Sequence, residues 1–178
     1  MTSVINLYSG PGSGKSTIAA GAFSLLKLHG INCEYITEYA KDLAWEDTLT
    51  IKNDPFYIST KQYYKQQRLL NKVDYVITDS PLLLGKAYSK DKSHHDYVEM
   101  LSKRFDNVNY FVKRIKPYIP KGRIQTEEEA KEKDVMIEDM LIFDGVKYAI
   151  IPGNKHGITF VVSNILIEED IPTIAEII

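Results

Sequence analysis

The sequence has few of the features that mark several common classes of protein. A single cysteine, Cys33, excludes an internal disulfide and offers no cysteine cluster for a metal. No apolar run approaches the length of a membrane-spanning helix, and the start of the chain has no secretory-signal pattern. The 22 basic and 24 acidic residues leave a net charge of −2, which favours neither nucleic acid nor a membrane surface as a partner. We therefore expect a cytoplasmic protein with one domain, residues 1–178.

Glycine, by contrast, is concentrated at one place near the start of the chain. The stretch GPGSG, residues 10–14, follows the apolar VINLY and precedes a helical pattern. Such a loop points its backbone N–H groups inward, and the N-terminus of the following helix favours negative charge. The stretch fits the P-loop pattern G-x-x-x-x-G-K-[ST], except that Ser9 stands at the first glycine. The residues predicted to bind the phosphates of ATP are Gly10, Gly12, Ser13, Gly14, Lys15, Ser16 and Thr17.

Two side chains of this motif have predicted chemical roles. Lys15 is expected to reach the β- and γ-phosphates, which makes it a catalytic residue. The hydroxyl of Ser16 is expected to ligate Mg²⁺. ATP and Mg²⁺ are therefore the expected cofactors.

The rest of the chain alternates between strand and helix patterns. Short apolar runs bounded by turn signals predict strands at residues 4–8, 32–37, 74–79, 108–113 and 147–151. Helical patterns with end signals cover residues 15–30, 54–72 and 126–141. This alternation predicts an α/β fold with a parallel sheet and helices on both faces. Ligands are then expected outside the carboxyl ends of the strands.

Asp79 lies at the end of the third predicted strand, in VITDSP. An acid in this position is typical of a Walker B element, whose carboxylate holds Mg²⁺ directly or through water. Ser80 and Pro81 follow it, instead of the glutamate that polarises water in many ATPases. The pattern therefore favours transfer to another acceptor over ATP hydrolysis. Alternatively, Asp79 caps the turn that follows.

Glu38 lies at the end of the second predicted strand, at the same edge of the sheet. A carboxylate there can accept a proton from an attacking hydroxyl, as phosphoryl transfer requires. It can equally be a first-turn glutamate stabilised by a helix dipole. Asp42 is the second candidate for the base.

A basic segment follows the fourth predicted strand. Residues 107–126 contain no acid, are interrupted by prolines and a glycine, and carry the basic residues Lys113, Arg114, Lys116, Lys121 and Arg123. The pattern predicts a lid, at about residues 114–126, that closes over polyphosphate, since arginine suits transition-state charge. The alternative is a solvated charged loop.

The motifs SGPGSGKST, ITEYAKD, DYVITDSP and KRIKPYIPKGRIQTEEEA together resemble one family of P-loop kinases. These are relatives of the nicotinamide-riboside kinase domain of bacterial NAD-biosynthesis regulators, especially the small phage-encoded ones. The resemblance implies a three-layer fold whose five-stranded parallel sheet has the order 2-3-1-4-5. It also implies Asp79 or Glu38 facing the acceptor hydroxyl, and Arg114 and Arg123 as lid arginines. Some phage members phosphorylate 5-hydroxymethyluracil in DNA, and others are nucleoside or nucleotide kinases.

The acceptor side is predicted from the basic, tyrosine-containing segment 55–73, which has no acid. Lysines beside aromatics suit a nucleic-acid strand, because phosphates meet the cations and bases stack on the rings. The residues predicted to bind the acceptor are Glu38, Tyr64, Lys65 and Arg68. The alternative is a helix with solvated lysines and core tyrosines. The stretch SHHD, residues 93–96, favours a surface loop over a metal site.

The sequence thus predicts an ATP-dependent kinase acting on a hydroxyl of a nucleic-acid-type acceptor. The favoured acceptor is 5-hydroxymethyluracil in DNA, and the first alternative is a small nucleoside or nucleotide. A second alternative is a regulatory nucleotide-binding module that uses the P-loop as a switch. Oligomeric state is not indicated.

Overall fold

The computed structural model describes residues 2–45, 54–115, 117–118 and 126–171. Its strands are β1 Ser3–Tyr8, β2 Cys33–Ile36, β3 Tyr75–Thr78, β4 Asp106–Lys113 and β5 Ala149–Pro152. All the pairings are parallel, in the order β2-β3-β1-β4-β5. The predicted fold class, strand positions and strand order are confirmed.

The described helices lie between and after these strands. They are α1 Lys15–Leu28, α2 Tyr39–Trp45, α3 Pro55–Gln67, the 3-10 helix Leu82–Tyr88, α4 Lys92–Ser102, α5 Glu127–Phe143 and α6 Lys155–Glu168. The predicted caps are present: Asp54 accepts a hydrogen bond from the Tyr57 N–H, and Thr126 and Glu129 form a capping box. None of the described helices is long and apolar enough to cross a bilayer.

Both faces of the sheet are covered, as the predicted three-layer arrangement requires. On one face, Ile5 and Leu7 of β1 share an apolar cluster with residues of α1 and α6. On the other face, Val4 packs in a cluster with residues around α3 and α4, and Tyr8 packs with the 3-10 helix and α5. Successive strand side chains alternate between the faces, so the central strand β1 contributes to every cluster.

The prediction of a surface loop at residues 93–96 is wrong, because this stretch lies in the first turns of α4. The side chain of His94 is completely buried, and its Nε2 lies 2.9 Å from the Ser59 hydroxyl. Asp91 caps the helix by accepting a hydrogen bond from the Ser93 N–H. Among the described residues, no group of three or more His, Cys, Asp or Glu side chains is arranged to hold a metal.

Candidate active site

The glycine-rich loop lies at the carboxyl end of β1. Gly12 and Gly14 have φ values of 82° and 112°, a conformation that L-residues with side chains rarely adopt. Gly14 directly precedes α1, and no side chain of the described residues caps the first turn of this helix. The N–H groups of that turn are thus available to an anion. Of the residues predicted to bind phosphate, Gly12, Ser13, Gly14, Lys15, Ser16 and Thr17 lie in this loop and the first turn of α1, whereas the N–H of Gly10 already donates a hydrogen bond to Asp134.

Lys15 folds back over the loop. Its Nζ donates hydrogen bonds to the carbonyl oxygens of Ser9, at 2.7 Å, and Gly10, at 2.8 Å. Burial lowers the pKa of the Lys15 ammonium, while nearby carboxylates oppose this shift. An anion brought into the loop would therefore find a cation with little competing solvent.

Ser16 and Asp79 meet at the predicted metal position. The Ser16 hydroxyl donates to Oδ2 of Asp79 at 2.5 Å, and the Tyr35 hydroxyl donates to the same oxygen at 3.0 Å. The other oxygen, Oδ1, is buried and has no hydrogen-bond partner in the described part of the chain. Burial and the charge of Asp79 raise the pKa of Tyr35, so this hydroxyl stays a donor. Tyr35 was not predicted, since it lies inside a strand segment that gives no functional signal.

These two side chains fit Mg²⁺. A hydroxyl and a carboxylate with a free buried oxygen are oxygen donors of the kind that Mg²⁺ prefers. Mg²⁺ in nucleotide sites usually takes one or two protein ligands, and phosphate and water supply the rest. Ser16 and Asp79 are therefore sufficient as the protein's share of such a site.

Glu38 lies between β2 and α2. Burial raises the pKa of its carboxyl group, the negative charge of Asp79 adds to the shift, and the positive charge of Lys15 opposes it. The side chain is half-buried. A carboxyl group with a raised pKa binds a proton more readily than an ordinary glutamate does, which suits a general base.

Asp134 of α5 is a site residue that the sequence analysis missed. Its Oδ1 accepts hydrogen bonds from the Ser9 hydroxyl, at 2.7 Å, and the Gly10 N–H, at 2.6 Å. Its Oδ2 accepts from Nε of Arg114 at 2.9 Å. Ser9, which replaces the first glycine of the P-loop pattern, thus bonds to α5 through its hydroxyl. The sequence did not indicate Asp134, because α5 contains many acidic residues and nothing distinguishes this one.

Gly153, just after β5, closes the other side of the loop. A Cβ at this position would lie 2.1 Å from the carbonyl oxygen of Ser13. The Gly153 N–H donates to the carbonyl oxygen of Lys113, at the end of β4, at 2.9 Å. The ends of β4 and β5 thus lie against the phosphate loop, and only glycine fits at this point.

A profile of the family described as AAA domain matches residues 4–157. The chain belongs to this family. Among solved structures, this AAA domain is similar to the crystal structure of NadR protein in complex with NR. The TM-score is 0.69 at 19% identity, and the match covers 96% of this chain and 52% of that one. The chain thus spans about half the length of that structure, and the likeness confirms the predicted relationship at the level of the fold. No curated protein matches.

The residues of α3 and its C-cap that were predicted to bind an acceptor lie in different environments. Tyr64 is 65% exposed and Arg68 is exposed. Lys65 is engaged within the protein, because its Nζ lies 2.9 Å from Oδ2 of Asp42 and 5.4 Å from the centre of the Tyr39 ring. The charge of Lys65 is therefore partly neutralised before any acceptor binds.

Tyr88, at the end of the 3-10 helix, is a third residue that the sequence did not indicate. The residue is 54% exposed, and Nζ of Lys133 lies 4.9 Å from the centre of its ring. Burial of the hydroxyl raises the pKa of Tyr88 to about 12, and the charges of Glu38 and Asp134 add to the shift. The negative charge of Glu38 thus acts on the Tyr88 hydroxyl.

The predicted lid lies largely outside the described residues, and Arg123 lies outside them entirely. Arg114 is described and lies one residue beyond β4. Its guanidinium contacts Asp134 and the carbonyl oxygen of Pro11, at 2.8 Å from Nη2, and lies 5.9 Å from the Tyr118 ring centre. Arg114 is thus anchored to the phosphate loop itself.

Proposed function

We propose that the protein is an ATP-dependent kinase that phosphorylates a hydroxyl group of a nucleoside-type acceptor. The observation that carries the proposal is the buried Oδ1 of Asp79, which has no hydrogen-bond partner among the described residues, while Oδ2 accepts a hydrogen bond from the Ser16 hydroxyl at the end of the phosphate loop. A P-loop with this carboxylate supports ATP binding, and the carboxyl group of Glu38 beside it supports transfer to an acceptor.

The phosphate loop and its surroundings would hold the donor. The first-turn N–H groups of α1 and the Lys15 ammonium would bind the phosphates of ATP. Arg114 would add positive charge at the transferred phosphoryl group, where charge stabilisation has its largest effect on the rate. The loop of residues 114–126, with Arg123, would then close over the phosphates and exclude water.

Ser16 and Asp79 would hold Mg²⁺, which supplies charge neutralisation and alignment of the phosphates when bound. The Tyr35 hydroxyl would keep Asp79 oriented through its bond to Oδ2. Because Oδ2 already accepts two hydrogen bonds and Oδ1 would bind Mg²⁺, Asp79 is less suited than Glu38 to take a proton from the acceptor.

Glu38 would act as the general base. The acceptor oxygen attacks the γ-phosphorus and its proton passes to the Glu38 carboxylate, while the bond from phosphorus to the β–γ bridging oxygen breaks and ADP leaves. Glu38 is half-buried and interacts electrostatically with Lys15 and Asp79, which supports this role.

A small nucleoside or nucleotide is the acceptor that the structure favours. Tyr88 is 54% exposed, so the ring face that Lys133 leaves open would offer a surface on which a single base can stack. A structure of similar fold contains NR, which supports a ligand of this size. 5-Hydroxymethyluracil in DNA remains the second candidate, because Tyr64 of α3 and Arg68, the C-cap of that helix, are both exposed.

The deciding experiment measures ADP formation with Mg²⁺-ATP and a panel of nucleosides, nicotinamide riboside, nucleotides and hydroxymethylated DNA. Acceptor-dependent ADP with a small molecule supports the favoured proposal, and activity on DNA alone supports the second candidate. Tight nucleotide binding without acceptor-dependent ADP would replace both with a regulatory P-loop module.

A further inference from the structure

Asp134 joins three segments that are distant in the sequence. Its carboxylate accepts hydrogen bonds from the Ser9 hydroxyl, the Gly10 N–H and Nε of Arg114. A Cβ on Gly10 would lie 2.7 Å from Oδ1 of Asp134, so the loop and α5 are in close contact. The side chain of Asp134 is only 16% exposed and that of Arg114 only 9%. Charged hydrogen bonds with so little solvent access hold their geometry more firmly than surface ion pairs do.

These bonds leave one nitrogen of Arg114 without a partner. Nε binds Asp134, and Nη2 donates to the carbonyl oxygen of Pro11, inside the phosphate loop, at 2.8 Å. Nη1 is buried and has no hydrogen-bond partner within the described residues. A planar guanidinium fixed at two nitrogens has no freedom to turn the third. Nη1 is therefore held beside the phosphate loop as an N–H donor that is free to bind a hydrogen-bond acceptor on a ligand.

We propose that Asp134 is a positioning residue that orients Arg114 so that Nη1 contacts the terminal phosphate of ATP. The inference rests on the proposed function only in taking ATP as the ligand, and it does not depend on the identity of the acceptor. Asp134 itself touches neither ATP nor the acceptor and acts through Arg114.

Asp134→Asn tests this directly. An asparagine side chain can present its oxygen to the phosphate loop or to Arg114, but not to both, since its other end is an N–H donor. The variant keeps the size of the side chain but can no longer hold Arg114 and the phosphate loop together. Asp139→Asn is the matched control, because Asp139 is an exposed aspartate on the same helix.

The readout is the affinity of the full chain for a non-hydrolysable ATP analogue and for ADP, each with Mg²⁺, measured by calorimetry. Asp134→Asn is expected to weaken binding of the ATP analogue by about tenfold or more and to change ADP binding much less, the scale of one charged hydrogen bond. Asp139→Asn is expected to leave both affinities unchanged. Equal losses for both nucleotides, or no loss, in Asp134→Asn would overturn the proposal.

A double variant separates positioning from a general effect on the loop. In an Arg114→Ala background, Asp134→Asn should cause no further loss of preference for the ATP analogue over ADP. A further loss there as large as in the wild type would show that Asp134 does not act through Arg114. If Asp134→Asn does not fold, the affinities of Arg114→Lys test the proposal instead. An ammonium has a single nitrogen and cannot contact Asp134, Pro11 and a phosphate at once, so this variant should lose its preference for the ATP analogue over ADP. An unchanged preference in Arg114→Lys overturns the proposal.

These measurements need no acceptor. A wild-type protein that binds ATP but forms no acceptor-dependent ADP would refute the kinase proposal and leave the role of Asp134 open to the same binding test.

Discussion

Ser16 and Asp79 are 63 residues apart in the sequence, and the Ser16 hydroxyl donates a hydrogen bond to Oδ2 of Asp79. The bond joins the first turn of α1 to the end of β3, so the phosphate loop and the acidic strand end form one site. The pairing of β1 with β3, which matches Asn6 with Thr78, brings the two segments together. A change in either the phosphate loop or the end of β3 is therefore expected to affect the same site.

Lys15→Ala is expected to abolish phosphoryl transfer and leave the fold intact. The lysine contacts the loop through its ammonium group, and its role is charge contact with the phosphates. Acceptor-dependent ADP formation and thermal unfolding are the measurements. Lys147→Ala, at an exposed position, is the control and should retain full activity. Normal turnover in Lys15→Ala would remove the P-loop from the mechanism.

Asp79→Asn is expected to lower turnover by at least about a hundredfold, the scale of losing a positioned catalytic group. The amide keeps the shape of the side chain but loses the charge that attracts Mg²⁺. The dependence of activity on Mg²⁺ concentration should therefore shift to higher concentrations in this variant. Unchanged turnover and Mg²⁺ dependence would show that Asp79 only caps the following turn.

The pH profile tests Glu38 as the base. Burial raises the pKa of its carboxyl group above the ordinary 4.5, with the charge of Asp79 acting in the same direction. A base must be ionised, so turnover should fall as the pH drops through this raised pKa, at a pH above 4.5. Glu38→Gln should give low activity without this acid limb and leave ATP affinity nearly unchanged. If Asp42→Asn removes the limb and Glu38→Gln does not, the base is Asp42.

Salt dependence tests the DNA acceptor. Each phosphate contact of a polymer releases counterions, so the logarithm of affinity should fall with the logarithm of salt concentration by roughly 0.7 to 0.9 per contact. A free nucleoside should show almost no slope. A Lys65→Ala, Arg68→Ala double variant should flatten the slope on hydroxymethylated DNA and leave ATP affinity unchanged. Equal, shallow slopes on both substrates would exclude the DNA acceptor.

His94 should make stability depend on pH. Burial lowers the pKa of His94 below its ordinary value of 6.5, so the native state resists a proton that the unfolded chain takes up below that pH. The free energy of unfolding should therefore fall as the pH drops below 6.5, by up to about 1.4 kcal/mol per pH unit. Urea unfolding at several pH values checks this.

The control for this prediction compares the slopes of two variants. His94→Gln should flatten the decline, whereas His156→Gln, at an exposed position, should preserve it. A wild-type slope in His94→Gln would assign the pH dependence to other groups.

The parts of the fold that depend on local sequence patterns could be predicted. Apolar runs located all five strands, and the caps at Asp54 and Thr126 located the starts of two helices. These patterns did not locate α6, whose β-branched and aromatic residues and Gly157 have low helix propensity. Burial of Val161 and Ile165 against the core outweighs that propensity.

The residues of the candidate site likewise fall into those that a local motif predicts and those that only the folded structure reveals. The phosphate loop and Asp79 follow local motifs and were predicted, whereas Asp134, Tyr35 and Tyr88 act through contacts across the fold. Asp134 meets Ser9 across 125 residues, and Tyr35 meets Asp79 across 44. No local pattern marks such residues, because their role depends on how strands and helices are placed in three dimensions.

The contact between Gly153 and Ser13 also bears on how the protein is made. The phosphate loop is synthesised first, but Asp79, Asp134 and Gly153, which complete its surroundings, emerge progressively later from the ribosome. A nascent chain that ends before β5 would contain the phosphate loop but lack Gly153, which packs against it. Nucleotide binding by ribosome-bound chains of increasing length should therefore begin only once residues beyond Gly153 have left the exit tunnel, which makes the ligand a reporter of late folding.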